Sequence, residues 1–185
     1  MEITLLQLSG LQLITMPLFR DERGFFTQSF HKEQYAEAGL DLAICQHNQS
    51  RSRKGVVRGL HFQYDSPLSK LVRVTHGKAL FVAVDIRKNS PTRGQWESRE
   101  LSLETGELLW VPFGFATGFC ALEDDTDMEY YFNNFYNKAG ESNIRWNDPE
   151  LAIAWPISSP IVSARDAGAQ TFAEWRSSPL SDKVG

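Results

Sequence analysis

Concentrated positive charge and long apolar runs are both missing from this sequence of 185 residues. Its 19 basic residues are outnumbered by 23 acidic ones, so the chain lacks the excess of basic charge that favours nucleic acids and anionic membranes. The uncharged stretches 3–19 and 108–122 are 17 and 15 residues long, and both are interrupted by proline and glycine. A membrane-spanning helix needs about 20 apolar residues. We therefore expect neither a nucleic acid nor a membrane as partner.

Cysteine and histidine are also scarce. Two cysteines, Cys45 and Cys120, do not make the dense disulfide framework of a small secreted domain, and we expect buried free thiols. The first residues lack the basic stretch and apolar run of a signal peptide, which favours a soluble, cytoplasmic protein. No histidine follows His76, and Gln63 stands where a second ligand of a His-x-His pair would follow His61. We expect no metal centre.

Short apolar runs between turn residues predict a chain made mainly of β-strands. The runs 71–75 and 79–85, on either side of Gly77, predict a hairpin. The second run is apolar at odd and even positions alike, so we expect both of its faces to be covered. The other predicted strands are 11–14, 43–49, 56–63, 96–103, 108–111, 118–122 and 128–132.

One early segment has the pattern of a helix, from His31 to Ala38, with Gly39 placed to end it. Many strands with few short helices indicate an all-β jelly-roll barrel or sandwich. No repeat or linker divides the chain, which predicts a single domain over residues 1–185. Residues 177–185 are mostly small and polar, include a proline, and are expected to form a loosely held tail.

His61 is the first candidate for chemistry. Simple alternation along a strand places it on a polar face with Gly59 and Gln63, and places Arg58 on the opposite face. The glycine leaves room for a ligand beside the imidazole. A lone histidine on a strand is more often structural than catalytic, so spacing alone leaves both interpretations open.

A series of short stretches is more specific than any one of these residues. The stretches are 21–26, 57–63, 84–87, 90–92, 94–96, 114–116, 155–156 and 163–166. In this order they resemble the dTDP-4-dehydrorhamnose 3,5-epimerase family, jelly-roll (cupin) enzymes that act on nucleotide-linked keto sugars. The resemblance covers nearly the whole chain. It implies an enzyme of deoxysugar biosynthesis that converts dTDP-4-dehydro-6-deoxyglucose to dTDP-4-dehydrorhamnose without a cofactor.

The resemblance also implies roles for individual residues. His61 matches the general base, Asp166 its orienting partner, Tyr130 the general acid, and Lys70 the cation beside the keto oxygen. Contacts with the substrate are implied for Arg23, Gln28, Gln46, Asn48, Arg58, Thr117, Tyr136, Glu141 and Arg165. Members of the family form homodimers in which an N-terminal strand completes the partner's site, and Arg23 matches a contact made in this way.

The implied chemistry explains why these residue types belong together. A keto group at C4 acidifies the protons at C3 and C5, because removal of either gives an enolate. A neutral imidazole can accept such a proton near pH 7, and a carboxylate partner fixes its tautomer. An ammonium group stabilises the charge that develops on the enolate oxygen. A phenol on the opposite face then returns a proton and inverts the carbon.

Three positions depart from the family pattern. Thr117 stands where a substrate-contacting histidine is common, Gln28 where glutamate is usual, and His47 where an acidic residue is common. A hydroxyl can hydrogen-bond a phosphate or sugar oxygen but carries no charge. These changes leave open an enzyme that inverts only C3 or only C5, or one that acts on a CDP-linked keto sugar. A non-catalytic sugar-binding cupin is the alternative from another class.

Overall fold

The alternating and doubly apolar runs form strands in the computed structural model, which describes residues 1–40 and 42–185. The strands are β1 (Glu2–Leu5), β2 (Gln12–Thr15), β3 (Phe19–Asp21), β4 (Gly24–Phe26), β5 (Gln46–Ser52), β6 (Val57–Gln63), β7 (Lys70–His76), β8 (Lys78–Asp85), β9 (Trp96–Ser102), β10 (Glu107–Val111), β11 (Phe115–Ala121), β12 (Thr126–Phe132) and β13 (Glu141–Asn143). The α-helices are α1 (Lys32–Glu37), α2 (Ala164–Ala167) and α3 (Phe172–Ser177). Turns of 3₁₀ helix span Leu103–Thr105, Lys138–Gly140 and Pro179–Lys183.

Two antiparallel sheets contain most of these strands. One has six strands in the order β1-β2-β10-β7-β12-β5, and the other has five in the order β13-β6-β11-β8-β9. The hairpin of β3 and β4 pairs separately from both. Neighbouring strands come from distant parts of the chain, as in jelly-roll sandwiches, and the predicted fold class is confirmed.

Alternation sorts the apolar side chains of each strand into layers. Val72 and Val74 of β7 share a buried cluster with Phe81 of β8, and this cluster joins the two sheets. The next residue of β8, Val82, belongs instead to a second buried cluster, together with Trp175 of α3. Strand β8 is therefore covered on both faces, as its doubly apolar sequence predicts. Each such burial contributes about 1.5–3 kcal/mol.

Helix α1 covers part of the six-stranded sheet. Its Tyr35 is fully buried and packs in a third cluster with Leu71 of β7. The His31 side chain caps the helix by accepting a hydrogen bond from the Gln34 N–H at 3.4 Å. Gly39 follows the last turn with a φ of +84°, so the predicted helix and its glycine stop are both confirmed.

The predicted hairpin of 71–75 with 79–85 is wrong. Strand β7 pairs with β10 and β12 in one sheet, whereas β8 pairs with β9 and β11 in the other. Gly77, with a φ of +70°, turns the chain from one sheet to the other. At this corner the Thr126 hydroxyl bonds both the N–H and the carbonyl of Lys78. A glycine turn suits a corner between two sheets as well as a hairpin within one sheet, so the local sequence does not distinguish the two connections.

The loose tail predicted for 177–185 is also wrong. Part of it forms the 3₁₀ turn Pro179–Lys183, and Val184 is fully buried in the cluster that contains α3. The Lys88 N–H donates a hydrogen bond of 2.6 Å to the Val184 carbonyl. One apolar residue near the end of the chain is enough to dock a segment of otherwise polar composition.

Smaller differences concern short strands and one cysteine. Strands β1, β3, β4 and β13 were not predicted, since each spans only three or four residues and none is buried. Cys45 and Cys120 are both free thiols, but Cys45 is exposed where burial was expected. Within residues 1–40 and 42–185, no helix is long and apolar enough to cross a membrane.

Two glycines allow β6 and β11 to approach each other closely, beside the buried cluster that joins the two sheets. A β-carbon at Gly118 would lie 2.6 Å from the Arg58 carbonyl oxygen, well inside van der Waals contact. A β-carbon at Gly59 would lie 2.5 Å from the Gly118 α-carbon, and Gly59 also has a φ of +128°. Any side chain at either position must therefore push the two strands apart.

We expect Gly118→Ala to lower the free energy of unfolding by about 1–3 kcal/mol, because the added methyl group meets backbone atoms that cannot move aside. Urea unfolding of the purified variant measures the change. Gly168→Ala is the matched control, since its methyl group would meet only the Ala164 carbonyl oxygen at 3.3 Å as its nearest neighbour. Equal losses in the two variants would contradict the close approach of β6 and β11.

Candidate active site

A cavity of about 310 Å³ lies between the two sheets, and both sheets contribute polar side chains to it. His61 and Thr117 come from the five-stranded sheet, and Lys70 and Tyr130 from the six-stranded sheet. Its apolar lining includes Phe62, Leu68, Phe81, Ile86, Phe115, Phe119, Phe132 and Val184. Apolar walls combined with convergent polar groups are typical of small-molecule sites.

Arg58 and His61 both line the cavity because β6 is irregular between them. Arg58 pairs with Phe119 and His61 pairs with Thr117, so the two residues between them on β6 lie opposite one residue of β11. Such a bulge shifts the alternation of side chains by one position. The prediction that Arg58 occupies the face opposite His61 is therefore wrong, because simple alternation takes no account of a bulge.

His61 is held by a buried carboxylate. Its Nε2 lies 2.6 Å from Oδ1 of Asp166, which is only 3% exposed. Asp166 lies on α2, where the Ser163 side chain accepts a hydrogen bond from its N–H at 3.1 Å, and its Oδ2 accepts one from the Gly59 N–H at 3.4 Å. Burial raises the pKa of Asp166, but the hydrogen bond and charge of His61, with the other bonds, bring it below its usual range. The ionised carboxylate holds the proton of Nε2 and leaves Nδ1 as the basic nitrogen.

Lys70 is the buried cation of the cavity. Its side chain is desolvated, and this burial lowers its pKa to about 8, while the negative charge of Glu141 acts in the opposite direction. Its Nζ donates a hydrogen bond of 2.8 Å to Oγ1 of Thr117. Below about pH 8 the cavity therefore contains an ammonium group within apolar walls, where its charge acts strongly on a bound oxygen.

Tyr130 places a phenol in the same cavity from β12. Burial raises its pKa to about 12, although the positive charge of Arg58 acts in the opposite direction. The ring lies parallel to that of Phe132, with 6.1 Å between centroids. Tyr130 is therefore a neutral proton donor at pH 7, and a packed aromatic neighbour restrains its ring.

A polar group lies at one end of the cavity. The Tyr136 hydroxyl donates to Oε2 of Glu141 at 2.7 Å, and an Arg165 guanidinium nitrogen lies 2.8 Å from the same oxygen. The Tyr136 N–H donates to Oε1 of Gln46, whose Nε2 donates to Oδ1 of Asn48 at 3.1 Å. Tyr136 is half exposed, so its ring is available to a ligand that enters from solvent.

Four of the residues for which a substrate contact was implied do not line the cavity. Gln46 and Arg165 bond residues that do, whereas Arg23 and Gln28 lie elsewhere. Arg23 lies in the turn between β3 and β4, its side chain is 85% exposed, and it pairs with Asp21. Gln28 is exposed after the same hairpin. Neither lines the cavity of its own chain. His47, the third departure from the family pattern, stacks on Tyr131 at 4.5 Å.

Ser163 and Gly59 are the positioning residues that sequence reasoning missed. Both bond Asp166, so they determine where the carboxylate lies relative to His61. A signal existed for one of them, because the Ser-x-x-Asp spacing of 163–166 is typical of a helix N-terminus. In the described part of the chain, no three side chains of histidine, cysteine, aspartate or glutamate are grouped to bind a metal ion.

Comparison with known proteins relates this geometry to a family. A model of the dTDP-4-dehydrorhamnose 3,5-epimerase family matches residues 5–174. A dTDP-4-dehydrorhamnose 3,5-epimerase of Shigella flexneri is 46% identical over 159 residues, which are 85% of this chain and 88% of that protein. A dTDP-4-dehydrorhamnose 3-epimerase of Streptomyces niveus is 37% identical over 182 residues, 97% of this chain and 88% of that one.

A solved structure shows the same similarity. A dTDP-6-deoxy-D-glucose-3,5-epimerase of Legionella pneumophila, solved in complex with dTDP-4-keto-L-rhamnose, superposes with a TM-score of 0.89. It is 41% identical, over 93% of each chain. With a family match that spans most of the sequence and a shared fold at this identity, the chain belongs to the dTDP-4-dehydrorhamnose 3,5-epimerase family.

Proposed function

We propose that this protein inverts C3 and C5 of dTDP-4-dehydro-6-deoxyglucose, giving dTDP-4-dehydrorhamnose through enolate intermediates. The observation that carries the proposal is the His61–Asp166 pair at 2.6 Å in a cavity that also contains Lys70 and Tyr130. An imidazole with an ionised partner, a buried ammonium and a neutral phenol are the groups that proton abstraction beside a ketone needs.

The placement of base and acid on different sheets supports inversion. His61 projects into the cavity from β6 of the five-stranded sheet, and Tyr130 from β12 of the six-stranded sheet. A sugar ring bound between them has the base on one face and the acid on the other. A carbon that loses its proton to His61 and regains one from Tyr130 therefore changes configuration.

Each inversion then balances in protons and electrons. Nδ1 of His61 takes the proton from carbon, and the C–H electron pair becomes the enolate double bond, with the charge on the C4 oxygen. The Lys70 ammonium stabilises that charge. The enolate collapses to the ketone as the Tyr130 hydroxyl protonates the opposite face. The proton held by the imidazolium is released to solvent, and the phenolate takes one up, which restores both groups.

The polar group at the end of the cavity suits the nucleotide portion. We assign Tyr136 as the ring that stacks on the thymine, since its ring is half exposed beside the cavity. Glu141 and Arg165 hold its hydroxyl end, and Gln46 holds its backbone N–H. The charged pair of Glu141 and Arg165 also suits contacts with the polar diphosphate and the sugar hydroxyls.

Inversion of a single carbon is the second candidate. It is favoured by the similarity to a relative named as a 3-epimerase. A CDP-linked sugar is the corresponding alternative for the nucleotide. A sugar-binding cupin without catalysis is disfavoured, because all four groups needed for proton transfer are present together.

We propose further that the protein is a homodimer and that the β3–β4 hairpin of one subunit completes the cavity of the other. Phe19 and Phe26 of the hairpin are 61% and 67% exposed and stack on each other at 6.4 Å, and Leu5 is 75% exposed. An apolar surface of this kind at a hairpin is typical of an interface. Arg23 at its tip then reaches a partner's cavity and binds the diphosphate there.

Proton NMR in deuterated buffer with dTDP-4-keto-6-deoxyglucose tests the function. We expect the signals of the protons at C3 and C5 both to be lost, and a coupled reductase to form dTDP-rhamnose. Loss at one carbon alone would establish the mono-epimerase instead. If neither proton exchanges, with this substrate or with its CDP-linked counterpart, the protein is a binding protein and the proposal fails.

His61→Ala and Asp166→Asn separate the base from substrate binding. We expect the exchange rate to fall by at least about 10²–10⁴-fold in His61→Ala, the typical contribution of a general base. Asp166→Asn should also slow exchange strongly, because the amide no longer stabilises the imidazolium. Binding of dTDP, followed by calorimetry, should change little in either variant.

Tyr130→Phe is the contrasting variant in the same experiment. It keeps the base and loses the acid, so deuterium should still enter the substrate while little inverted product forms. Wild-type exchange in His61→Ala would remove His61 from the role of base. A normal yield of inverted product from Tyr130→Phe would likewise remove Tyr130 from the role of acid.

Sedimentation velocity tests the dimer. We expect a mass twice that of the 21.0 kDa chain, and a shift toward the monomer in Phe19→Ser/Phe26→Ser, because the exposed rings lose their partner surface. The monomer should turn over slowly, with a raised KM. Leu180→Ser, which alters an exposed apolar residue away from the hairpin, is the control. A fully active monomeric wild type would contradict strand exchange.

A further inference from the structure

A hydrogen bond between two buried side chains links the two sheets inside the cavity. It joins Nζ of Lys70, on β7 of the six-stranded sheet, to Oγ1 of Thr117, on β11 of the five-stranded sheet, over 2.8 Å. Both side chains are nearly fully buried, at 9% and 5% exposure. Among residues 1–40 and 42–185, the Thr117 hydroxyl is the side-chain group that hydrogen-bonds this ammonium.

The hydroxyl is oriented for this contact. Its Oγ1 lies 3.5 Å from the carbonyl oxygen of His61, in a geometry that lets the hydroxyl donate there and leaves its lone pairs for Lys70. Threonine is branched at the β-carbon and has restricted χ1 rotation on a strand. The pairing of Thr117 with His61 in the sheet fixes the backbone from which the hydroxyl projects. Through this pairing with β6, the Thr117 side chain connects the strand that carries His61 to the Lys70 ammonium.

We propose that Thr117 is a positioning residue, which holds the Lys70 ammonium in place and keeps it protonated for the enolate oxygen. This inference rests on the proposed epimerase function and deepens it. It also differs from the role that the resemblance implies, in which position 117 contacts the substrate directly. A hydroxyl that donates to a carbonyl and accepts from a lysine has no proton left to donate to a sugar and keeps one lone pair.

The physical reason lies in the cost of burying an ammonium. Burial lowers the pKa of Lys70 to about 8, so the charged form is only moderately favoured at neutral pH. A hydrogen bond accepted from the ammonium favours the charged form, and its loss must lower the pKa further. The other titratable groups that line this cavity are Arg58, His61, Tyr130, Tyr136 and Glu141. A change at Thr117 leaves their charges in place, so a shift at Lys70 reports the lost bond.

Thr117→Val tests the proposal, because valine keeps the shape of threonine and removes the acceptor. Thr117→Ser is the matched control, because serine keeps the hydroxyl. The first readout needs no substrate: the pKa of Lys70 is followed by ¹³C NMR of lysine labelled at Cε, with its signal assigned by its loss in Lys70→Met. We expect the pKa to fall by about one unit in Thr117→Val and to stay near the wild-type value in Thr117→Ser.

Kinetics supply the second readout. We expect Thr117→Val to lower kcat by about tenfold or more with KM within about twofold, because an interaction made in the transition state is weakened. The alkaline limb of kcat/KM should move to lower pH, since activity is lost once Lys70 deprotonates. In Thr117→Ser, kcat and the position of the alkaline limb of kcat/KM should both stay near their wild-type values. A raised KM with an unchanged pKa of Lys70 would overturn the proposal in favour of a direct substrate contact.

The two readouts also separate this inference from the proposed function. If the wild type fails to epimerise any keto sugar, the function fails, while the NMR titration still tests the Lys70–Thr117 bond. If the pKa of Lys70 is unchanged in Thr117→Val, the positioning role fails even though the wild type is active. Circular dichroism and dTDP binding verify that the variants are folded. Should Thr117→Val unfold, Thr117→Cys, which offers only a weak acceptor, replaces it.

Discussion

The close approach of β6 and β11 at Gly59 and Gly118 is the constraint on which the site depends. The two α-carbons come together only because neither residue has a side chain. The bulge in β6 occurs at this point, and it directs both Arg58 and His61 into the cavity. The Gly59 N–H also bonds the Asp166 carboxylate. A backbone feature without a functional side chain of its own thus sets the geometry of the His61–Asp166 pair, which we propose to be catalytic.

Burial then separates the protonation states that the proposed chemistry needs. It lowers the pKa of Lys70 to about 8 and raises that of Tyr130 to about 12, so at neutral pH one group is charged and the other is a neutral acid. Asp166 shows that hydrogen bonds can outweigh the same effect, because its pKa is lowered despite burial. One desolvated cavity therefore provides a cation, an acid and a carboxylate partner together.

Much of this arrangement follows from the sequence, and the exceptions share a physical cause. The strands β6, β8 and β12 were predicted within a few residues, because period-2 or continuous apolar runs mark them directly. The predicted pairing of β7 with β8 was wrong, since the Gly77 turn has the same sequence whether it closes a hairpin or crosses between sheets. The face of Arg58 depends on a bulge, and the docking of Val184 depends on a surface formed by distant residues. Local patterns specify elements, and non-local contacts specify where those elements lie.

The cross-sheet bond of Lys70 and Thr117 bears on how many carbons are inverted. C3 and C5 flank the same ketone, so both enolates place their charge on one oxygen and use one ammonium. A fixed Lys70 therefore serves either inversion equally well, and Thr117 does not discriminate between them through this contact. Discrimination must come from groups that hold the rest of the substrate as the second carbon is brought to His61. Tyr136, Glu141 and Arg165, the bonded set that we propose to hold the nucleotide end, are groups of this kind.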